Sequence, residues 1–532
     1  MKTFKHILWV AAAASSMLMS SCIEETFPTS GATEQQLGQS SKATEALALG
    51  MPAYMVNFGT VSTGYHYDYG YPSIMHIRDV MTGDLTVPSI GYDWYSSWAK
   101  NQYQGNSYAA GQFIWNYHTK MVLTTNITIG AIDPAKANTE QVGMLGAAYA
   151  YRALIYLDMA RMFEFLPNDK TSSKTDKGND VTNYTVPIVT EATSEDSAAN
   201  NPRVLRKDMA AFILSDLDKA ETYLKGFKYR TKQLPTLAAA YGLKARLYMW
   251  LEDYPKAQEY ARKAINEAGG APTTQKEWTD KASGFNNPEV SSWMWCGSVA
   301  KENEAVKTEI VNWTSWMSPE AEYGYAVAGA YSLISKAMYD RISDTDFRKL
   351  SFIAPKGHAL EGKTEQIDPA AKFKEYVALK FRPGSANIKD AKVGSAVSFP
   401  VMRIEEMYFI EAEAAAHTNP AEGKQLLETF MKTYRDANYS TNVSSMDDVV
   451  EEIVFQKRVE LWGEGQTFFD IKRLNYSVTR RYEGSNFPVD RQFNTNGRPA
   501  WMNLVMVRTE RNANKAIEGW ENPDPSNLYP NK

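Results

Sequence analysis

The sequence has few of the residues that disulfide frameworks, zinc sites and nucleic-acid-binding surfaces require. Only two of its 532 residues are cysteine, Cys22 and Cys296. None of the six histidines stands four residues from another, which excludes the zinc-protease helix with two histidines on one face. With 57 basic and 62 acidic residues, the net charge of −5 gives no electrostatic case for binding nucleic acid.

Signatures of several enzyme classes are also absent. No nucleophile elbow, P-loop or dinucleotide-binding glycine motif occurs. After the first residues, no apolar run reaches the length of a membrane-spanning helix. What the chain does have is aromatic residues, at 12% with 31 Tyr and 13 Trp. This is enough for both a core and an exposed stacking surface, in a chain whose length alone allows two to four domains.

The first 21 residues have the features of an export signal. Lys2 and Lys5 precede a short apolar run, Ile7 to Ala14, which is too short to span a membrane. Met19 to Cys22 matches a lipobox, which predicts cleavage before Cys22 and lipidation of its sulfur. Residues 22–42 would then form a lipidated N-terminus and tether, anchored without spanning the membrane. The alternative is an ordinary signal peptide followed by an incidental cysteine. If Cys22 is lipidated, Cys296 has no partner, so no disulfide is expected.

Helical hairpins dominate the rest of the chain. One hairpin follows the two-helix spacing of tetratricopeptide repeats, with a turn at Asp253-Tyr254-Pro255. A second is predicted from Arg403–Ala416 and Glu422–Tyr434, joined at Asn419-Pro420. A long amphipathic segment from Asp447 to Leu474 is broken near Gly463 and Gly465. A hairpin cannot bury its apolar face alone, so these elements predict a mainly α fold of stacked hairpins in a single body.

Loop-rich insertions separate the hairpins. They are Asn168 to Arg203, Gly269 to Tyr325 and Pro355 to Pro400. We expect a few short strands within them, and we expect them to present the ligand surface. Because hairpins lie on both sides of these insertions, residues 43–532 are predicted to form one intertwined unit.

Four segments, in order along the chain, carry a family resemblance. They are Gly146 to Phe165, Ala238 to Ala257, Met402 to Ala414 and Lys457 to Arg473. Together they resemble the SusD/RagB family of outer-membrane nutrient-binding lipoproteins. Arg403 and Glu406 match the Arg-Xaa-Xaa-Glu helix of that family.

The resemblance implies a function as well as a fold. It implies a cell-surface lipoprotein that binds a polysaccharide or oligosaccharide and delivers it to a SusC-like TonB-dependent transporter, with no catalysis, cofactor or bound metal. Glu24 and Glu25, just after the cysteine, match the acidic residues that accompany export to the outer leaflet. The alternatives are a binder of peptides or other nutrients in the same family, an assembly scaffold without a ligand, or a secreted glycoside hydrolase.

Two carboxylate pairs bear on the hydrolase alternative. Glu460 with Glu464, or Glu411 with Glu413, could be interpreted as the acid and base of a glycosidase. The competing interpretation is that they pair with Arg458, Arg473 and Arg403 and stabilise the scaffold. We favour the second, because two carboxylates on one helix rarely face both sides of a sugar ring. No catalytic residue is therefore predicted.

The predicted binding surface is aromatic, because sugar rings stack on aromatic side chains. Two regions qualify, Arg78 to Tyr103 and Trp278 to Tyr325, and Tyr65, Tyr67, Tyr69 and Tyr71 precede the first as alternate residues of an expected extended segment. The predicted platform is Trp94, Trp98, Trp295, Trp313 and Trp316, with Arg78, Asp84 and Asn101 as hydrogen-bonding partners. Trp293 and Trp295 share a face of a predicted strand and could instead belong to the core. Trp115, Trp250 and Trp462 lie in helical motifs and are expected in the core.

Overall fold

The computed structural model describes residues 40–529, and the predicted signal segment, Cys22 and most of the tether lie outside them. The first helices in chain order are α1 Ser41–Met55, α2 Tyr71–Val80, α3 Ser96–Ala99, α4 Ala109–Ala131, α5 Thr139–Phe163, α6 Glu195–Ala198, α7 Arg206–Tyr223, α8 Leu237–Leu251, α9 Tyr254–Ala268 and α10 Gln275–Thr279. Those that follow are α11 Glu304–Lys307, α12 Trp313–Met317, α13 Gly324–Val327, α14 Lys336–Arg341, α15 Ala391–Gly394, α16 Ile404–Ala416, α17 Pro420–Tyr434, α18 Met446–Glu460, α19 Thr467–Leu474 and α20 Arg508–Ala513. Short 3₁₀ turns occupy Phe347–Ser351, Gly384–Ala386, Val489–Arg491, Ala500–Met502 and Lys515–Ile517.

Four short strands form two antiparallel pairs. β1 (Leu85–Thr86) pairs with β3 (Leu333–Ile334), and β2 (Trp293–Ser298) pairs with β4 (Ser398–Arg403). The β2–β4 ladder is irregular near Trp295, and residues 293–297 of β2 are all buried. The fold is therefore mainly α, as the sequence predicts. No helix within residues 40–529 has the length and apolar character that crossing a membrane would require.

The long helices pack as a row of hairpins. α5 packs on α7, α8 on α9, α9 on α16, and α16 on both α17 and α18. Ala257, Ala261 and Ala264 of α9 are fully buried at the crossing with α8, where small side chains let the two helices approach. The Asp253 side chain caps α9 and Pro255 lies in its first turn, so the turn forms where the sequence predicts it.

The other predicted helical features are also present. Asn419 caps α17, and Pro420 begins that helix after α16 ends at Ala416. The Asp447–Leu474 segment breaks between α18 and α19, where Gly463 and Gly465 have φ values of +79° and +70°. Such left-handed conformations favour glycine, which lacks a β-carbon. The expectation of an extended segment at Tyr65–Tyr71 is wrong, because these residues form turns and the start of α2.

A buried ion network joins α16, α18 and the segments around them. Glu460 accepts hydrogen bonds from Arg348, Arg403 and Arg435 at 2.7 to 3.2 Å, and all four side chains are fully buried. Arg403 also contacts Glu464 at 2.9 Å. Burial raises the pKa of Glu460, but the guanidinium groups, Arg435 first, outweigh it and hold this pKa well below its usual range. The scaffold interpretation of Glu460 and Glu464 is thus supported, with Arg403 as the shared partner.

Residues near the C-terminus close over those near the N-terminus. The Arg458 guanidinium pairs with Asp84 of the segment after α2, and the Trp462 indole donates to the Asp84 carbonyl at 3.1 Å. Arg480 donates to three carbonyl groups of residues 80–99, at 2.7 to 2.9 Å. Asn101 donates to the Pro525 carbonyl at 2.9 Å. These contacts fix the loops that precede and follow α3.

Candidate functional site

Five aromatic side chains from three segments meet at one place on the surface. This group, called the aromatic face below, consists of Tyr65, His66, Tyr92, Trp94 and Tyr325. Tyr92 is the most open, with 54% of its surface exposed. Tyr65, His66 and Trp94 are partly buried, and Tyr325 is buried, with 6% of its surface exposed. The face thus combines accessible rings with firmly held ones.

Local interactions hold two of the three segments of the aromatic face, the one with Tyr65 and His66 and the one with Tyr325. The buried carboxylate of Asp68 accepts hydrogen bonds from the backbone N–H groups of Thr60, Val61 and Ser62, at 2.8, 2.6 and 3.1 Å, and closes the loop that carries Tyr65 and His66. The Tyr325 N–H donates to the Ser315 hydroxyl at 2.8 Å, just after Gly324 turns the chain with φ of +63°. Loops bound in this way can present rings in fixed positions.

Four of the five rings contact one another directly, while Tyr65 stacks on Tyr67, which meets Trp94 edge-on. The His66 and Trp94 rings stack with centroids 4.4 Å apart and planes 19° apart. The His66 Nδ1 contacts the Tyr325 hydroxyl, and Tyr92 meets the Tyr325 ring edge-on at 5.7 Å. Burial lowers the pKa of His66 and raises that of Tyr325 to about 12. Both groups are therefore uncharged at neutral pH, which suits contact with a neutral ligand.

A buried aromatic layer lies directly beneath. Tyr325 stacks on Trp316 with centroids 4.0 Å apart and planes 16° apart, and Trp316 meets Tyr95 edge-on at 5.0 Å. The Tyr95 hydroxyl donates to that of Tyr69 at 2.8 Å. Trp98 lies against Tyr95 in the same layer. The surface rings therefore rest on a packed foundation instead of a loose loop.

A groove of about 380 Å³ is lined by residues close in sequence to the aromatic face, Ile90 before Tyr92 and Ala326 after Tyr325. Its floor includes the apolar side chains of Tyr331 and Phe373, and exposed Asp368, Lys372 and Lys374 lie along its edge. Stacking rings next to a groove with hydrogen-bonding groups of both charges are the features that a sugar-binding site needs.

Four of the five tryptophans of the predicted binding platform are buried. Trp98, Trp295, Trp313 and Trp316 are each exposed by 2% or less, so the expectation that these rings are exposed is wrong. Trp295 sits in β2, where it meets Tyr151 edge-on, and Trp313 packs against Phe381 and Phe399. Trp98 and Trp316 support the aromatic face from below. Trp94 alone of the five belongs to the aromatic face, while Trp115, Trp250 and Trp462 are buried as expected.

The predicted hydrogen-bonding partners are also buried, each in a structural contact. Arg78 pairs with Asp158 at 2.7 Å, Asp84 pairs with Arg458, and Asn101 binds the Pro525 carbonyl. All three are less than 5% exposed. They position the segments around α2 and α3 and present no free group to a ligand, so their predicted accessibility is wrong.

Four members of the aromatic face were not among the predicted site residues. Tyr65 and Tyr92 fall in the aromatic-rich segments that the sequence indicates, and Tyr325 ends the second of them. His66 lies between two of the alternating tyrosines. The usable signal in the sequence was Gly91 before Tyr92, because glycine marks turns, and in the structure Gly91 has a φ of +87°.

The carboxylates that could have served a hydrolase have structural partners. Glu460 and Glu464 are buried in the ion network, Glu411 pairs with Arg262, and Glu413 pairs with Arg473. None of these four belongs to the aromatic face. A glycosidase needs two carboxyl groups facing the glycosidic bond, and these pairs do not meet that need.

Comparison with known proteins gives two family matches. Residues 359–530 match the model of the SusD family, and residues 65–249 match a model described as starch-binding associating with outer membrane. The chain belongs to the SusD/RagB family. No curated protein matches the sequence.

Solved structures of this family share the fold at low sequence identity. A SusD-like carbohydrate-binding protein from Bacteroides vulgatus ATCC 8482 aligns with a TM-score of 0.69 and 20% identity, over 89% of this chain and 96% of that one. A SusD superfamily protein from Bacteroides thetaiotaomicron VPI-5482 aligns with a TM-score of 0.67 and 18% identity, over 91% and 99%. A laminarin-binding SusD-like protein aligns with a TM-score of 0.62 and 15% identity, over 91% and 99%.

Proposed function

We propose that this SusD family protein captures a poly- or oligosaccharide on the aromatic face and does not cleave it. The observation that carries the proposal is a set of uncharged, partly exposed rings held on a buried aromatic layer beside a groove with polar edges. Sugars present apolar C–H faces to such rings and hydroxyl groups to such edges. The carbohydrate- and laminarin-binding descriptions of similar structures support the same class of ligand.

Affinity electrophoresis tests the proposal. The protein is run through native gels that contain laminarin, starch or another polysaccharide, and reducing ends are assayed in parallel. We expect retardation by at least one glycan without release of reducing ends. Release of reducing ends would instead support the hydrolase. Retention of peptides from a protein digest, with no retardation by any glycan, would support a peptide binder.

Trp94→Ala should weaken binding of the retained glycan about five- to thirty-fold, because one stacked ring contributes on the order of 1 to 2 kcal/mol. The melting temperature should change little, since Trp94 is only partly buried. Calorimetry and thermal melts measure the two effects. Tyr108→Ala, which removes an exposed ring outside the aromatic face, is the matched control and should bind normally. Normal binding by the Trp94 variant, or equal loss in the control, would move the site elsewhere.

We further propose that the captured glycan passes to a SusC-like TonB-dependent transporter, and that residues 43–532 act as one unit in this delivery. The family membership and the outer-membrane description of one matched model support this step. Purification from gently solubilised membranes should recover a barrel protein together with this one. Repeated recovery without any barrel would argue against delivery through such a partner.

Anchoring through lipidated Cys22 at the cell surface completes the proposal. Cys22 lies outside the described residues, so support comes from the lipobox and from Glu24 and Glu25. Cys22→Ala should move the protein from the membrane fraction to the soluble fraction, because a protein loses stable attachment without its acyl chains. Fractionation and surface labelling measure the effect. A variant that stays on the membrane as the wild type does would contradict the anchor.

A further inference from the structure

A narrow cavity lies where the row of helical hairpins meets α19. Its walls come from the end of α5, from α8, α16 and α18, and from α19. The space inside is about 30 Å³, enough to hold a water molecule or a small ion. The cavity is separate from the aromatic face, because no residue of that face lines it.

Basic side chains outnumber acidic ones around this cavity. Its wall contains five bases and three acids, namely Arg161, Arg246, Lys457, Lys472 and Arg473 against Glu164, Glu406 and Asp470. The ion-pair partners just behind the wall add two bases and two acids, Arg78 and Arg206 with Asp158 and Glu413. The full set is seven bases and five acids, an excess of two positive charges.

The acids of this set are already occupied. Glu406 accepts both Nε and Nη2 of Arg246, at 2.7 and 2.6 Å. Asp470 forms ion pairs with Lys457 and Arg473 at 3.0 and 2.9 Å. All five carboxylates are already counted in this balance, and the buried Oε2 of Glu413 is the one oxygen among them without a hydrogen-bond partner in the described residues.

Lys472 is the base without a counterion. Its ammonium, 3% exposed, donates to the carbonyl groups of Met162 and Glu164 at 3.0 and 2.7 Å. No carboxylate in residues 40–529 forms an ion pair with it. Burial lowers the pKa of Lys472 well below its usual range, because the attraction of Glu164 offsets it only in part and Arg498 adds repulsion. Even if Lys472 were neutral, one positive charge would remain in the set.

Two guanidinium nitrogens at this cavity lack hydrogen-bond partners. They are the Nη1 atoms of Arg246 and Arg473, whose side chains are 2% and 9% exposed. A buried charged donor without an acceptor is costly, and native structures seldom leave one unpaired. Both nitrogens require an acceptor, and the net charge favours an anionic one.

We propose that this cavity binds one small monovalent inorganic anion, chloride under ordinary conditions. The anion accepts hydrogen bonds from the guanidinium groups and offsets the unpaired positive charge. The site is structural, because it ties α8, α16 and α19 together away from the glycan-binding surface.

Bromide replaces chloride in such sites and can be located by anomalous diffraction. Crystals grown in sodium bromide should give an anomalous peak within hydrogen-bond distance of Arg246 Nη1 or Arg473 Nη1. An ordered solvent peak without anomalous signal would show that water fills the cavity and would overturn the proposal. A bromide peak confined to the outer surface would overturn it as well.

Stability in solution gives an independent test. At constant ionic strength, 150 mM chloride should raise the melting temperature by about 2 °C relative to methanesulfonate, for a dissociation constant near ~10 mM. Lys472→Met should reduce this shift by at least half. Lys349→Met removes another buried ammonium, one bound to Asp344 and the Ile342 carbonyl away from the cavity, and should keep the full shift.

These outcomes separate a specific site from general salt effects. Equal chloride shifts in the two variants and the wild type would assign the effect to the bulk solvent and overturn the proposal. If Lys472→Met fails to fold, the bromide experiment on the wild-type protein decides alone.

Discussion

Glu460→Gln should destabilise the protein by about 3–5 kcal/mol, or prevent folding altogether. The change keeps the shape of the side chain but removes the negative charge that Arg348, Arg403 and Arg435 share. Because all four groups are fully buried, the remaining carboxylates, Asp346, Glu405 and Glu464, would no longer balance the positive charge of the network, and water could not replace the lost charge. Urea unfolding followed by circular dichroism measures the loss.

The same helix offers a matched control. Glu451 of α18 pairs with Arg341 at the surface, with 59% of its side chain exposed. Surface ion pairs contribute little, so Glu451→Gln should change the free energy of unfolding by less than about 1 kcal/mol. Similar losses in the free energy of unfolding for both variants would show that burial does not make the Glu460 network more stabilising than a surface ion pair.

Trp316→Ala should destabilise the protein by about 3–5 kcal/mol, because it empties a space filled by a fully buried ring. It should also weaken glycan binding, on the order of tenfold, in the molecules that remain folded. The reason is that Tyr325 loses the ring on which it stacks at 4.0 Å. Chemical unfolding and calorimetry at low temperature measure the two effects.

Trp501→Ala separates the two roles. Trp501 is equally buried but packs against Phe493 and Tyr529, outside the aromatic layer. We expect a similar loss of stability with normal glycan affinity. If Trp316→Ala binds as the wild type does, the buried layer has no part in holding the aromatic face.

The helical scaffold could be predicted because its causes are local. Each signal acts within a few residues. The signals are the alanines at helical spacing, Asp253 with Pro255 at the start of a helix, and the glycines at 463 and 465. Capping, backbone conformation and side-chain periodicity then fix where helices begin and end. The structure follows these signals at α8, α9, α17 and α19.

The exposed site could not be predicted, because exposure depends on distant partners. Arg78 pairs with Asp158 at a separation of 80 residues along the chain. Asp84 pairs with Arg458 at a separation of 374 residues, and Asn101 binds the Pro525 carbonyl at a separation of 424 residues. Glycine and serine around Asp84 and Asn101 indicate a loop correctly, whereas Arg78 lies in α2. They carry no information on which segment will cover that loop, so polar and aromatic side chains expected at the surface were covered instead.

Trp313 and Trp316 illustrate the same limit. Their neighbours in sequence are polar, which favoured exposure. The polar side chains are used locally, as when the Asn312 side chain caps the short helix α12 by accepting from Ser315 N–H. Both indole rings are then free to turn inward, where their large apolar area is best buried.

The closure of C-terminal residues over the loops around α3 has a consequence for the order of folding. During synthesis the residues from 78 to 101 emerge first, but Arg458, Arg480 and Pro525 arrive several hundred residues later. Contacts of such long range cannot form early, so the aromatic layer beneath the binding surface stays unfinished until synthesis is nearly complete. Shortened chains that stop just after α19 keep the Glu460 network but lack Arg480 and Pro525, so they should accumulate as protease-sensitive species with an intact hairpin row and no ligand surface.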